Sequence, residues 1–190
     1  MRDTKTELLV AALQLFAHEG YENVGTQKIV ETAQVKKPTL YYHFGSKQGL
    51  LEAVLKATYD PFLAALKTHS VYTGDLTLTL ETLVDHYFAF ARKQPAIYRW
   101  GLALTYAPEQ SEASLTMRPF FMRQLHLLTQ VFEEAVPQHG NLKGRSEELT
   151  MSFLGMINAS ITRSFYYQTS LDSPQAFRVC KQFMHGIYAG

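Results

Sequence analysis

Cysteine, tryptophan and net charge are all scarce in this sequence: one Cys, one Trp and a formal charge of +1 across 190 residues. A single thiol, Cys180, excludes an intrachain disulfide and any zinc site built from several cysteines, and it reads as a small core residue. Near-neutrality means that association with nucleic acid or a membrane surface would have to rest on a local patch. No apolar run approaches the roughly 18 residues of a spanning helix, and Asp3, Glu7 and Gln14 interrupt the stretch where a signal peptide needs apolar residues, so a cytoplasmic protein without membrane attachment is expected. Catalytic signatures are missing as well. No two histidines stand at i,i+4, none follows an acidic residue by three positions, and HExxH, GxSxG and P-loop motifs are absent. Neither an enzyme nor a metal or cofactor site is expected.

What is present is helical periodicity throughout. Thr4-x-x-Glu7 reads as a capping box for a first helix carrying Leu8, Leu9, Ala12, Leu13 and Phe16, with Gly20 as its stop. Thr26 opens a second helix of about two turns, with Ile29, Val30 and Ala33 on one face. Lys37 to Phe44 forms a third, with Pro38 in its first turn and Leu40 and Phe44 as an inward i,i+4 pair. Gly45-Ser46 stops it and caps the next. That fourth helix carries Leu50, Leu51, Val54 and Leu55, and Pro61 predicts a kink or break. Further helices are expected from Asp75 to about Lys93, from Pro95 to about Tyr106, over roughly 112–136 with a distortion at Pro119, from an N-cap at Ser146 to about Ser170, and after Asp172-Ser173-Pro174. With no strand alternation, the fold class is all-α.

Two short helices joined by a tight polar link, from Thr26 to Lys47, have the form of a helix-turn-helix whose second helix enters a major groove. Between positions 28 and 47, Lys28, Lys36, Lys37 and Lys47 face Glu31 alone, a local +3 in a nearly neutral chain. Such a patch supplies the phosphate term of DNA binding. Tyr41, Tyr42 and His43 add donors and ring surface for backbone and thymine methyl groups. A solvated lysine face would explain the charge but not two bulky tyrosines on the outer side of a short helix.

Residues 8–51 closely resemble the N-terminal DNA-binding region of TetR/AcrR-family transcriptional regulators, through Phe16, Gly20, Thr26, Ile29, Ala33, Val35, the string Thr39-Leu40-Tyr41-Tyr42-His43-Phe44, and Ser46-Lys47. The resemblance implies an N-terminal three-helix DNA-binding domain, residues 1–47, and an effector-binding and dimerisation domain, residues 48–190. It implies that Gln27, Lys28, Lys37, Pro38 and Thr39 approach base edges, while Thr26, Tyr41, Tyr42, His43 and Lys47 hold phosphates. Two positions depart from the family pattern. Lys36 replaces a frequent Ser, which removes a hydroxyl cap and adds a cation to the groove. Gly49 stands where a helix former is common, at a cost of about 0.8–1.0 kcal/mol relative to Ala.

The rest of the chain holds 19 of the 24 aromatic residues. Tyr59, Phe62, Leu66, Tyr87 and Phe90 lie on segments that the family wraps around an effector, as do Tyr98, Trp100, Leu104, Tyr106, Phe120 and Phe121. His86 and Arg99 are the polar groups best placed to meet a ligand. For any one ring, plain core packing is the simpler reading, and only the ensemble argues for a pocket. Met151, Leu154, Gly155, Asn158, Ala159 and Thr162, with Phe177, Cys180, Met184 and Ile187, form stripes on the last two helices that a four-helix dimer interface would bury. The resulting expectation is a homodimeric repressor that binds a near-palindromic operator and is released by a small apolar or aromatic effector of little charge. A helical carrier or enzyme of apolar molecules is the alternative, and it leaves Lys36, Lys37, Tyr41 and Tyr42 unexplained.

Overall fold

A computed structural model describes residues 3–185, and all regular structure among them is helical. The helices are α1 (Thr4–Glu19), α2 (Thr26–Thr32), α3 (Lys37–Phe44), α4 (Lys47–His69), α5 (Leu76–Lys93), α6 (Pro95–Thr105), α7 (Glu112–Ala135), α8 (Ser146–Tyr167) and α9 (Ser173–His185), with a 3-10 turn at Gly140–Leu142. Pro61 and Pro119 both lie inside continuous helices, so the break expected at Pro61 does not interrupt α4.

Several helix starts differ from the sequence expectation. Asp3, not Thr4, caps α1 by accepting from the Thr6 N–H, which frees the Thr4 hydroxyl for another partner. Thr26 and Ser146 are the first residues of α2 and α8, and the residues before them, Gly25 and Arg145, make no side-chain cap bond. Asp75 and Asp172 cap α5 and α9 as their sequences suggest, accepting from the N–H groups of Leu78 and Gln175.

By packing, the chain divides into two compact units. The first holds residues up to Pro61 together with Pro95–Phe121. Its core explains the division: Phe16 of α1 stacks on Trp100 of α6 at 6.2 Å and meets Tyr21 edge-on at 5.2 Å. Leu8, Ala12, Ile29, Leu40, Leu50 and Leu51 are all fully buried. Each leucine or isoleucine among them contributes about 1.5–3 kcal/mol on burial, and α2 and α3 are too short to hold their shape without such contacts.

The second unit comprises Phe62–Gln94 and the residues from Met122 onward. Here α5 packs against α9 and α8, with Leu80, Leu83, Val84 and Phe88 facing Ala176, Val179 and Cys180 among the buried residues. Phe132, Phe153 and Phe183 form a ring cluster with centroids 5.1–6.2 Å apart. Burial pushes the Cys180 thiol up to about 12, as befits an inert core cysteine.

Candidate nucleic-acid interface

The link between α2 and α3 turns on Gln34, whose φ of 54° lies in the left-handed region, and Val35 N–H closes the turn onto the Val30 carbonyl at 2.9 Å. Helix α3 then starts at Lys37 with Pro38 in its first turn, where a missing N–H costs nothing. Lys36 occupies the N-cap and makes no side-chain cap bond. At the far end Gly45, at φ 72°, stops the helix, and the Ser46 hydroxyl accepts from the Gly49 N–H at 2.9 Å to begin α4. A β-carbon on Gly49 would overlap the Phe44 carbonyl oxygen. The close approach of two backbones, rather than helix propensity, accounts for glycine at this position.

Leu40 is the buried side chain of α3, and Phe44 is half-buried beside it. This orientation leaves Lys36, Lys37 and Pro38 exposed, with Tyr41 45% and Tyr42 85% accessible. Two aromatic rings held in water on an eight-residue helix have no role in the core.

Other expected contact residues are engaged within the chain. Lys28 pairs with Glu19 at 2.6 Å, so part of the local positive charge is offset by a residue just outside the counted stretch. The Gln27 amide donates to Glu31 at 2.7 Å. His43 Nε2 lies 3.3 Å from the Thr4 hydroxyl, which ties α3 to the first turn of α1. The Lys47 ammonium sits over the Tyr21 ring, 4.0 Å from its centroid. The Tyr21 hydroxyl donates to the Glu112 carboxylate at 2.6 Å, and burial with that acidic partner pushes the phenol well above its ordinary pKa. Tyr21, Glu19 and Glu112 were not singled out by the sequence. Glu112 lies 91 residues beyond Tyr21, a separation that no local pattern bridges.

The residues expected to meet an effector fall in both units. Tyr59, Tyr98, Trp100, Leu104 and Phe120 are buried residues of the first, whereas Tyr106 is 73% exposed and outside any core. Gly101 exists for Tyr59, because a β-carbon there would overlap the phenol oxygen. Phe62, Leu66 and Tyr87 are buried in the second, where His86 stacks on Phe62 at 4.9 Å and bonds its carbonyl at 3.2 Å. Phe90 tilts against Phe62 at 4.7 Å. A cleft of about 230 Å³ in the first unit touches Phe121, and one of about 440 Å³ in the second is lined by Met122, His126, Glu133, Glu147 and Met151 among others, none of them expected from the sequence to meet an effector.

On the dimer stripes, Met151, Gly155, Ala159, Phe177 and Met184 are exposed, and Asn158 and Thr162 are half-buried. Leu154 and Cys180 are instead core residues, 3% and 0% exposed, because the inward face of each helix includes them. Ile187 lies outside the described residues.

A short helix that follows a tight turn, anchored by Leu40 and presenting lysines and tyrosines outward, has the form of the helix-turn-helix class of DNA-binding proteins. Residues 8–54 match the model of bacterial regulatory proteins, tetR family. The likeness to that family is thus carried by the helix-turn-helix segment. It is 31% identical over 112 residues to the HTH-type transcriptional activator FasR of Mycolicibacterium smegmatis, covering 59% of this chain and 51% of FasR. It is 34% identical over 56 residues to the biofilm operon icaADBC negative transcriptional regulator IcaR of Staphylococcus aureus, covering 30% of each. The chain thus spans about half the length of FasR or less of the other curated relatives it matches. In fold it resembles the transcriptional regulator FadR from Bacillus subtilis, solved in complex with stearoyl-CoA, with a TM-score of 0.80, 18% identity, and 96% of this chain and 99% of that one covered. Among the described residues no helix is long and apolar enough to cross a membrane, and no group of three or more His, Cys, Asp or Glu could hold a metal ion.

Proposed function

We propose that this protein is a ligand-responsive transcriptional regulator that binds a near-palindromic operator as a homodimer, in the cytoplasm, and represses until a small apolar effector releases it. The outward face of α3 carries the reading: Lys36, Lys37, Tyr41 and Tyr42 are exposed around a buried Leu40. Lys37, Pro38 and Thr39, with Gln27 and Lys28 of α2, face the bases. Thr26, Tyr41, Tyr42, His43 and Lys47 face the phosphates, and Lys36 adds a cation at the groove edge. Residues 1–47 carry the DNA contacts and residues 48–190 the effector and dimer contacts. A dimer places two such helices one helical turn of DNA apart, about 34–36 Å. The exposed faces of α8 and α9, with Met151, Gly155, Ala159, Phe177 and Met184, supply its interface.

The effector acts by its differential affinity for the DNA-competent arrangement and its alternative. Its apolar character follows from the buried rings offered by the chain, where an unpaired charge would meet a desolvation cost of several kcal/mol. Long-chain acyl groups are the first class to try, given the stearoyl-CoA held by the FadR of similar fold. Negative control is supported by IcaR, while FasR shows that a relative of this chain can activate.

Selection of bound duplexes from a random library is the test. Recovery of inverted half-sites about one turn apart, with Lys37→Ala losing about 1–3 kcal/mol at one base position and flattening the preference there, supports the reading. Recovery of no enriched sequence by the wild type removes it. Titration with acyl-CoA and aromatic compounds, read by Trp100 fluorescence and operator release together, tests the effector class. Release without any change at Trp100 would place the ligand elsewhere.

A further inference from the structure

Helix α4 starts at the Lys47 expected to hold a phosphate, yet the ammonium is already occupied. It lies over the face of Tyr21, 4.0 Å from the centroid, and that ring is pinned by its hydroxyl bond of 2.6 Å to Glu112, the first residue of α7. Partial burial holds the Lys47 pKa below its ordinary value, opposed by the two carboxylates of Glu22 and Glu112, which favour the charged ammonium. A second bond fixes α4 to α7 one residue further on: Gln48 donates to the Thr116 hydroxyl at 3.4 Å, and that hydroxyl donates to the Glu112 carbonyl at 2.6 Å. The acidic end of α7 is therefore held against the first turn of α4 by groups that belong to neither the bases nor the phosphates.

We propose that Glu112 is a positioning residue for DNA binding: bonded to the Tyr21 hydroxyl, it holds the Lys47 ammonium on the ring face and competes with the phosphate that Lys47 would otherwise contact. The inference rests on the DNA-binding reading above. Its physical basis is that a cation shared between a ring face and two carboxylates gives up part of that attraction when it turns to a phosphate. Glu112 thus lowers affinity for any duplex alike, since phosphate contacts carry no sequence information.

The experiment is a double-mutant cycle between Glu112→Gln and Lys47→Met, read as affinity for a mixed-sequence duplex of about 30 base pairs over a salt series, with a length that spans two successive major grooves. Glutamine keeps an oxygen for the Tyr21 hydroxyl and removes only the charge. The E112Q protein should bind about two- to fivefold more tightly at low salt, the range of a partly exposed charge pair. In the K47M background the same change should give no gain. An equal gain in both backgrounds would mean that Glu112 acts through its general field, and no gain in either would mean that it does not restrain Lys47; each overturns the proposal. If wild type fails to bind the duplex even at low salt, the DNA-binding reading fails first, and the two failures are told apart. Should E112Q fold poorly, Tyr21→Phe serves instead, because it unties the carboxylate and keeps the ring. A smaller gain that again needs Lys47 supports the proposal, and a gain independent of Lys47 sinks it.

Discussion

Helices α3 and α8 use their apolar residues in opposite ways. In α3 one leucine is buried, and two tyrosines stand in water at 45% and 85% exposure. In α8, Phe153, Leu154, Ile157 and Ile161 are all buried in the single chain, the outer side of the middle turns is left to small residues such as Gly155 and Ala159 with Met151 at the edge, and exposed rings come at its last two residues, Tyr166 and Tyr167. The fold explains the large apolar residues in the middle turns of α8 and does not explain the tyrosines of α3. A side chain that the core does not need is the stronger pointer to function, which is why the proposed DNA face is argued residue by residue while the proposed dimer face is argued from what remains after the core is assigned.

The largest effect should come from the outer face of α8. Ala159→Glu would set two like charges near a two-fold axis and desolvate both if this face meets a second copy. Sedimentation should then show monomers at micromolar concentration and loss of operator binding, with helicity unchanged. A variant that remains dimeric would move the interface elsewhere and leave α8 as scaffold only.

Gly49→Ala is next. By propensity alone alanine would stabilise α4 by about 1 kcal/mol, but its β-carbon would overlap the Phe44 carbonyl at the junction of α3 and α4. Backbone cannot swing aside as a side chain end can, so a net loss of about 1–3 kcal/mol is expected in urea unfolding. An unchanged or higher midpoint would show that the junction yields, and that α3 is less rigidly placed than its buried Leu40 implies.

The same junction shows what the sequence could convey. Helix existence and order were legible because each element carries its own period and many of its own stops. Leu40, Pro38 and Gly45 behave as their local context predicts. The reason for Gly49 was not legible, since it depends on the path of the preceding turn. Nor was the Asp3 cap, where two adjacent polar residues competed and the one outside the motif won. The cluster of Tyr21, Lys47 and Glu112 was hidden by its separation along the chain, and the division of the chain into units was hidden because Phe16 and Trp100 find each other only in three dimensions. Inward and outward assignment on α8 failed at Leu154 for a simpler reason: the apolar period of that helix left open which side the core would take.

Lys36→Ser separates scaffold from contact on α3 itself. The N-cap of this helix has no side-chain bond, so a serine hydroxyl there should add about 1 kcal/mol of stability. Removing the cation should at the same time weaken duplex binding at every sequence and make the plot of log K against log salt shallower by roughly one unit. A rise in thermal midpoint with a shallower salt slope is the expected pair of results. Stability gained with no change in slope would take Lys36 out of the phosphate contacts and leave it a residue tolerated at a cap.

The smallest effect belongs to the second unit, where polar groups are tuned by burial rather than offered to a partner. Burial holds the His86 pKa below its ordinary value, opposed by the Phe62 carbonyl and reinforced by His69, whose ring lies 5.0 Å away. The folded state therefore favours the neutral imidazole. As pH falls below the unfolded value of about 6.5, the unfolded chain takes up a proton that the folded chain resists, and stability declines until the folded pKa is passed. His86→Gln should remove that part of the decline, so that its unfolding free energy changes less than that of the wild type between neutral and mildly acid pH. Parallel losses in the two proteins would assign the acid sensitivity to other groups and make His86 a packed ring whose charge state the fold does not select.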